Sequence, residues 1–188
     1  MYDTGEIPDE ARDEVGGARV TLLGANLAVS SPPGVELVET PTASDVESEA
    51  LSRAVEADVV IMAAAVADYR PAEALATKRS KDRSGWTVEL EPTTDVLATL
   101  GERRAPGQVL VGFAADEGEG GLERARDKLA AKNADLFVFN DVSRTDIGFD
   151  SIHNEVTLLA GSGERTIAKA PKEEIADAIL DEVERLLG

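Results

Sequence analysis

The chain of 188 residues contains no cysteine and only one histidine, His153. The absence of cysteine excludes disulfide bonds, thiolate metal sites and cysteine nucleophiles. A single histidine excludes a metal site built from several histidines and argues against a histidine-based active site. Apolar runs of transmembrane length are also missing, and residues 1–17 are acidic and polar rather than signal-like. We therefore expect a cytoplasmic protein without a membrane partner.

Positive charge is scarce, because 19 lysines and arginines stand against 37 aspartates and glutamates, for a formal net charge of −18. A field of this sign repels the phosphates of nucleic acids and anionic membranes, so neither is expected as a partner. The carboxylates are spread along the chain, which is typical of a protein that stays hydrated in concentrated salt. A halophilic source is the resulting hypothesis, and equal stability with and without molar salt would contradict it.

Short apolar runs alternate with amphipathic stretches, which predicts an α/β fold with an open, mostly parallel sheet, flanking helices and a C-terminal hairpin. Residues 1–17 are expected to form a flexible acidic lead-in to a single domain, residues 18–188. The predicted strands are Arg19–Leu23, Val35–Thr40, Asp58–Ala64, Trp86–Leu90, Val109–Ala114 and Leu136–Asn140, and the hairpin pairs Glu155–Leu159 with Arg165–Ala168. The predicted helices are one that starts at Thr42 or Ser44, then Asp95–Arg103, Leu122–Lys132 and Lys172–Leu187.

Small residues followed by a carboxylate come directly after the third predicted strand, at Ala63–Asp68. In open α/β sheets ligands collect at the carboxyl ends of the strands. Small side chains let a ligand approach the backbone amides, and the Asp68 carboxylate is suited to hold Mg²⁺ against phosphates. The alternative interpretation is a packed strand end with a solvated carboxylate.

Lysines stand at two places where they could meet phosphates. Lys78 and Lys81 lie in a polar stretch, where a lysine can neutralise charge on a phosphate in a transition state. Lys128 and Lys132 are four residues apart on a predicted helix and share a face with Arg124. For both groups the alternative is a set of solvated cations that pair with neighbouring carboxylates.

Two further strand ends carry candidate ligand contacts. Phe113 ends a predicted strand, where its ring serves either as core or as a stacking partner for a nucleobase. Asn140 ends another strand, where an asparagine either caps a turn or binds a ligand.

Taken together, seven segments resemble the phosphopantothenate–cysteine ligase (phosphopantothenoylcysteine synthetase) family in order and approximate spacing. The resemblance covers roughly Arg19 to the C-terminus and is specific as a combination rather than in any one piece. The segments are AAAVADYRP (Ala63–Pro71), a lysine arm from Lys78, TTDVL (Thr93–Leu97), VGFAADE (Val111–Glu117), KLAAK (Lys128–Lys132), FNDVS (Phe139–Ser143) and GFDSIHNEVTLL (Gly148–Leu159).

The resemblance implies a Rossmann-like fold, a homodimer formed through an arm, and a role in coenzyme A synthesis. Members of this family activate the carboxylate of 4′-phosphopantothenate with CTP or ATP and Mg²⁺, which gives an acyl-nucleotide and pyrophosphate. The nitrogen of L-cysteine then displaces the nucleotide monophosphate. The catalytic work is mainly the positioning of charges around phosphates.

Carried over to this sequence, the resemblance implies catalytic roles for Lys78 and Asp68, with Asp68 also facing the metal ion. Asn140 is placed as a substrate contact. The implied nucleotide contacts are Met62, Ala63, Ala64, Asp68, Lys78, Thr94, Asp95, Val96, Leu97, Phe113, Lys128 and Lys132.

Three departures from the family pattern stand out. The arm reads Lys78-Arg79-Ser80-Lys81 instead of Lys-x-Lys-Lys, and Thr94 replaces the proline before Asp95. The family's N-terminal strand, Gly-Gly-Thr loop and Asn-x-Ser-Ser-Gly segment are not found. We therefore expect an N-terminally truncated domain that does not complete the reaction alone, with another chain as a possible source of the missing segment or of a decarboxylase.

Two alternatives to the ligase are considered. One is a catalytically incomplete, nucleotide-binding or dimerising remnant or subunit of the same enzyme. The other is an unrelated Rossmann-like nucleotide-dependent reductase, which the missing G-x-G-x-x-G and Tyr-x-x-x-Lys patterns disfavour.

Overall fold

The computed structural model describes residues 17–27, 30–73, 77, 80, 85–143 and 151–188. The chain divides into two compact units, Met1–Ala50 and Leu51–Gly188. The expectation of one domain over residues 18–188 remains a prediction. None of the helices within the described ranges is long and apolar enough to cross a membrane.

The first unit contains a small parallel sheet of two strands, β1 (Thr21–Gly24) and β2 (Glu36–Glu39). Helix α1 (Ala43–Arg53) follows these strands. The Thr42 amide donates to the Asp45 carboxylate at 3.0 Å, and the Asp45 amide donates to the Thr42 hydroxyl at 3.2 Å. This reciprocal pair caps the helix and explains why it starts where the sequence predicts.

The second unit is built on an open sheet of five strands in the order β3-β6-β7-β8-β9. Strands β3, β6 and β7 are parallel, whereas β8 and β9 form an antiparallel hairpin at the sheet's edge. The strands of this unit are β3 (Val59–Met62), β4 (Tyr69–Pro71), β5 (Leu90–Pro92), β6 (Val109–Asp116), β7 (Leu136–Asp141), β8 (His153–Ala160) and β9 (Gly163–Pro171). Its helices are α2 (Val96–Arg103), α3 (Gly118–Ala131) and α4 (Lys172–Leu187).

The core fills both faces of this sheet, which confirms the predicted α/β architecture. Strands β6 and β7 are buried on both faces, and for this reason they are continuous apolar runs in the sequence. Helix α4 covers one face with an i, i+4 stripe of buried residues. This cluster consists of Val109, Val111, Leu136, Val138, Val156, Leu158, Ile175, Ile179 and Val183.

The opposite face carries α2 and α3, and glycine lets α2 approach it closely. A Cβ on Gly112 of β6 would stand 2.7 Å from Leu97 of α2 and from the Phe137 ring. Gly112 is therefore required for the seating of α2 on the sheet, because any side chain there overlaps with its neighbours.

Strands β4 and β5 form a separate two-stranded antiparallel ribbon, in which Tyr69 pairs with Pro92 and Pro71 with Leu90. The predicted strand Trp86–Leu90 is corrected by this finding, since regular pairing begins only at Leu90. Its residues alternate as a strand should, but Trp86 is 62% exposed and Val88 is 45% exposed, so neither joins the core. Among the residues that the structure describes, no strand pairs with 86–89, so the alternation alone does not produce a ladder there.

Candidate functional site

Strand β3 ends at Met62, which is half-buried, and the chain continues through an exposed segment of small residues to Asp68. Ala63 and Ala64 are exposed, as is the Asp68 carboxylate. The segment lies at the carboxyl end of the parallel strands, where open α/β sheets bind ligands. Its exposure leaves the backbone accessible to a ligand, as the sequence predicts.

Thr93 connects this segment to the start of α2. The Thr93 amide donates to the Asp68 carbonyl oxygen at 2.9 Å, and the Thr93 hydroxyl donates to the Ala67 carbonyl oxygen at 2.5 Å. The neighbouring ribbon is stabilised by an ion pair between Arg70 and Glu91 at 2.7 Å. Asp68 is thereby bonded to Thr93, which stands two residues before the N-cap of α2.

Asp95 is that N-cap, and its two carboxylate oxygens have different partners. One oxygen accepts the Ala98 amide at 3.0 Å, which satisfies a free donor of the first helical turn. The other oxygen accepts a hydrogen bond from the Lys132 ammonium group and forms an ion pair with it. Asp95 therefore joins the start of α2 to the end of α3.

The charges around Asp95 keep it ionised. Partial burial raises its pKa, but the hydrogen bonds from Lys132 and Ala98 and the positive charges of Lys132 and Lys128 outweigh this, so the pKa of Asp95 lies below its ordinary value. Lys132 contacts Asp95 directly, and Lys128 lies one helical turn earlier on α3, from where its charge also lowers the pKa of Asp95. The two cations and the helix N-terminus together form a positively charged corner, within which Asp95 is the counter-charge.

Close backbone packing fixes the position of Lys132. A Cβ on Gly101 of α2 would stand 1.9 Å from the Lys132 carbonyl oxygen, so only glycine allows this approach. Asn133 ends α3 in the left-handed conformation (φ 49°) and donates its side-chain amide to the Gly101 carbonyl at 2.8 Å. The backbone of α3 is thus locked against α2 at the residue that carries the Lys132 ammonium group.

A second charged group lies at the ends of β6 and β7, which the sequence had not assigned to the site. Asp116 accepts two hydrogen bonds from Arg124, at 2.6 and 2.7 Å, and one from the Glu117 amide. The hydrogen bonds from Arg124 are the main reason that the pKa of Asp116 lies well below its usual range, and the positive charge of Lys128 lowers it further. Arg124 is therefore engaged with Asp116, although the sequence grouped it with the two lysines.

Asp141 lies opposite Asp116 in the parallel ladder of β6 and β7. It accepts hydrogen bonds from the Gly118 amide at 3.1 Å and from the Ser143 amide at 2.9 Å. The first bond explains why α3 begins at Gly118 and not at the predicted Leu122. The sequence signal was the carboxylate that follows Asn140 at the strand end.

Asn140 and Phe113 have contrasting environments. The Asn140 side-chain oxygen is buried and has no hydrogen-bond partner within the described part of the chain. Since a buried polar atom ordinarily has a partner, its unused acceptor capacity is notable, and a contact to substrate by Asn140 remains a prediction. The Phe113 ring packs against the cluster beneath α4, on the face of the sheet opposite to α2 and α3. Phe113 is therefore not brought to the positively charged corner through its ring, and a contact to nucleotide by this residue remains a prediction.

The predicted site residues thus converge in part. Asp68, Thr94, Asp95, Lys128 and Lys132 lie around the start of α2, while Val96 and Leu97 of the same turn are buried beneath it. Lys78 and Lys81 lie outside the described residues, so their predicted roles stay predictions.

The groups at this corner are of the kinds that suit an anion and a divalent cation. A helix N-terminus and two lysines favour phosphate. Within the ranges that the structure describes, no three His, Cys, Asp or Glu side chains gather to hold a metal ion. The single Asp68 carboxylate still fits Mg²⁺, because Mg²⁺ is commonly held by one or two carboxylates together with substrate phosphates and water.

Comparison with known proteins places this geometry in a family context. Residues 7–187 match the family model described as DFP, DNA/pantothenate metabolism flavoprotein C-terminal domain. The chain is 39% identical over 173 residues to the coenzyme A biosynthesis bifunctional protein CoaBC of Bacillus subtilis, covering 90% of this chain and 42% of the relative. It is 37% identical over 182 residues to CoaBC of Mycolicibacterium smegmatis, covering 91% and 44%.

A solved structure gives the same picture. The crystal structure of the C-terminal domain of coenzyme A biosynthesis bifunctional protein CoaBC has a TM-score of 0.72 and 35% identity, over 94% of this chain and 79% of that one. The chain spans less than half the length of the two curated relatives.

Proposed function

Because this chain belongs to the family of the DNA/pantothenate metabolism flavoprotein C-terminal domain, we propose that it is the nucleotide-binding portion of a phosphopantothenate–cysteine ligase of coenzyme A synthesis. The substrates proposed are 4′-phosphopantothenate, L-cysteine and a nucleoside triphosphate, either CTP or ATP. A cytoplasmic location and a halophilic source are predictions from the sequence alone.

In the proposed reaction, a carboxylate oxygen of 4′-phosphopantothenate attacks the α-phosphorus of the triphosphate and pyrophosphate leaves. The cysteine nitrogen then attacks the acyl carbon, loses its proton and expels the nucleoside monophosphate. Since an unactivated carboxylate is a poor electrophile, the protein has mainly to orient the reactants and to balance charge on the phosphates.

The observation that carries the proposal is the positively charged corner at the start of α2. Lys128 and Lys132 are proposed to bind the triphosphate, with backbone contacts from Ala63, Ala64 and Thr94. Asp68 is proposed to hold Mg²⁺, which when bound neutralises phosphate charge and fixes the orientation of the triphosphate. Lys78 is the proposed catalytic lysine and Asn140 the proposed acceptor for a substrate N–H group.

Titration of the purified chain with CTP and with ATP in the presence of Mg²⁺, followed by calorimetry, tests nucleotide binding. We expect measurable binding of at least one of the two nucleotides. Addition of 4′-phosphopantothenate and L-cysteine, with pyrophosphate release as the readout, tests the reaction itself.

Binding without sustained turnover is the outcome that we expect of the chain alone. It supports the alternative in which this chain is a catalytically incomplete, nucleotide-binding subunit of the enzyme. Sustained turnover would show the chain to be sufficient, and the absence of binding by either nucleotide would contradict the proposal.

We also propose a homodimer formed through the arm Tyr69–Leu90, which is described at residues 69–73, 77, 80 and 85–90. Large apolar side chains on this arm are exposed: Tyr69 and Trp86 by 62% and Leu90 by 58%. A ribbon with exposed apolar side chains is typical of an interaction surface, and a second copy would cover it symmetrically.

Light scattering in high salt should therefore report twice the monomer mass, and Trp86→Ser should shift the chain towards monomer. Ile152→Ser is the matched control, because Ile152 is 77% exposed but lies outside the arm. A wild-type monomer, or an equal shift in both variants, would contradict dimerisation through the arm.

A further inference from the structure

Thr93 lies in the short connection between β5 and α2, next to both Asp68 and the positively charged corner. It follows β5 directly, is half-buried and stands two residues before the N-cap of α2. We propose that Thr93 is a positioning residue that sets the orientation of Asp68 and thereby the magnesium-dependent part of nucleotide binding. This inference rests on the proposed function, since it assigns a role within that same site.

The two hydrogen bonds of Thr93 act on both peptide planes that flank the Asp68 Cα. The hydroxyl of Thr93 holds the carbonyl oxygen of Ala67, which belongs to the plane before Asp68, at 2.5 Å. Its amide holds the carbonyl oxygen of Asp68, which belongs to the plane after it, at 2.9 Å. Because a peptide plane is rigid, fixing both planes restrains both backbone torsions of Asp68.

This restraint matters because the Asp68 carboxylate is itself exposed. The backbone conformation of Asp68 therefore sets the direction in which its side chain leaves the chain, and with it the region that the carboxylate can reach. Mg²⁺ demands nearly ideal octahedral geometry with ligands at about 2.0–2.1 Å, so a small displacement of a carboxylate weakens its contact to the ion.

The segment that contains Thr93 also holds one of the two lysines of the corner in place. Two residues beyond Thr93, Asp95 caps α2 and holds the Lys132 ammonium group. Thr93 therefore fixes Asp68 relative to the residues proposed to bind phosphate. A group that aligns a metal ligand with a phosphate site affects binding of the metal–nucleotide complex more than binding of the nucleotide alone.

Thr93→Val and Thr93→Ser separate the hydroxyl from the shape of the side chain. Valine keeps the volume and the backbone amide but cannot donate to Ala67, whereas serine retains the donor. The measurement is the dissociation constant of the full chain for CTP and for ATP, once with Mg²⁺ and once with a chelator in its place.

For Thr93→Val we expect the dissociation constant in Mg²⁺ to rise about tenfold, the order that loss of one restraining hydrogen bond supports. The constant measured with chelator should stay at the wild-type value, and Thr93→Ser should behave as wild type in both conditions. Thr157→Val is the control, because it removes a hydroxyl contact in the β8–β9 hairpin, at 3.2 Å from Thr166, that involves neither Asp68 nor the start of α2. Melting temperatures of all variants establish that each remains folded.

Wild-type constants for Thr93→Val in both conditions would overturn the inference alone, provided that the wild-type chain binds nucleotide. Equal weakening with and without Mg²⁺ would also overturn it, because that result describes a loosened turn and not a misplaced metal ligand. A wild-type chain that binds neither nucleotide would overturn the proposed function and this inference together.

Discussion

Replacing Lys128 and Lys132 together with methionine should weaken binding of a nucleoside triphosphate by about 100-fold, since charge-assisted hydrogen bonds contribute about 1.5–3 kcal/mol each. Both ammonium groups act on the start of α2, and Lys132 is held there by Asp95. Methionine keeps much of the apolar stem of lysine, so the helix should stay folded. Calorimetric titration of the wild type, each single variant and the double variant measures the effect and its additivity.

Lys169 and Lys172 supply the control pair, because their joint replacement by methionine changes the net charge equally. Both lie at the junction of β9 and α4. We expect the nucleotide affinity of this control to fall little. If nucleotide affinity fell equally in the two double variants, the net charge of the protein, and not a local contact with phosphate, would determine the affinity.

Gly101→Ala should lower the free energy of unfolding by about 3 kcal/mol, at the upper end of what overpacking costs. In an exposed helix alanine would stabilise the chain, because it loses less backbone entropy on folding than glycine. Here the added Cβ would stand 1.9 Å from the Lys132 carbonyl oxygen, which is backbone and cannot rotate away. Helix α2 must therefore move from α3, and urea denaturation should show a lower midpoint with an unchanged m-value.

Gly120→Ala makes the same chemical change on α3 with the opposite expectation. The nearest atom to its new Cβ is the end of the Arg124 side chain at 3.4 Å, an ordinary contact. This variant should be as stable as wild type or up to about 1 kcal/mol more stable. If Gly101→Ala matched it, the close approach of α2 to α3 would not be required for stability.

A helix or strand could be predicted from the periodicity of its sequence wherever its own apolar side chains pack into the core. Helix α4 was predicted from Lys172 to Leu187 and has these bounds, because an i, i+4 stripe buries Ile175, Ile179 and Val183. The runs of β6 and β7 were equally clear, since strands covered on both faces are apolar throughout.

Features that depend on a partner far away in sequence were not predicted. Trp86 and Val88 alternate as in a strand, but within the described residues the ladder of β4 and β5 covers Leu90–Pro92, and it is extended by one bond from the Ala72 amide to the Glu89 carbonyl oxygen. The start of α3 is set by the Asp141 carboxylate, which accepts the Gly118 amide from another strand end. Local propensity contains no information on such contacts.

The sequence was enough to predict which positions belong to the candidate site, but not the hydrogen bonds and ion pairs between them. Residues after strands and lysines on one helix face were identified, and several lie together. The sequence gives no sign that Thr93 binds two carbonyl oxygens or that Arg124 is engaged with Asp116, because both depend on how loops fold back on each other.

The arrangement of the core along the chain determines when the second unit can fold during synthesis. Val109 and Val111 of β6 are covered by Ile175, Ile179 and Val183, which leave the ribosome much later. Until then β6 and β7 present an uncovered apolar face, the kind of surface that chaperones bind and that aggregates at high concentration. A chain whose translation stops before Lys172 therefore has an open core, because α4 is the element that covers this face of the sheet.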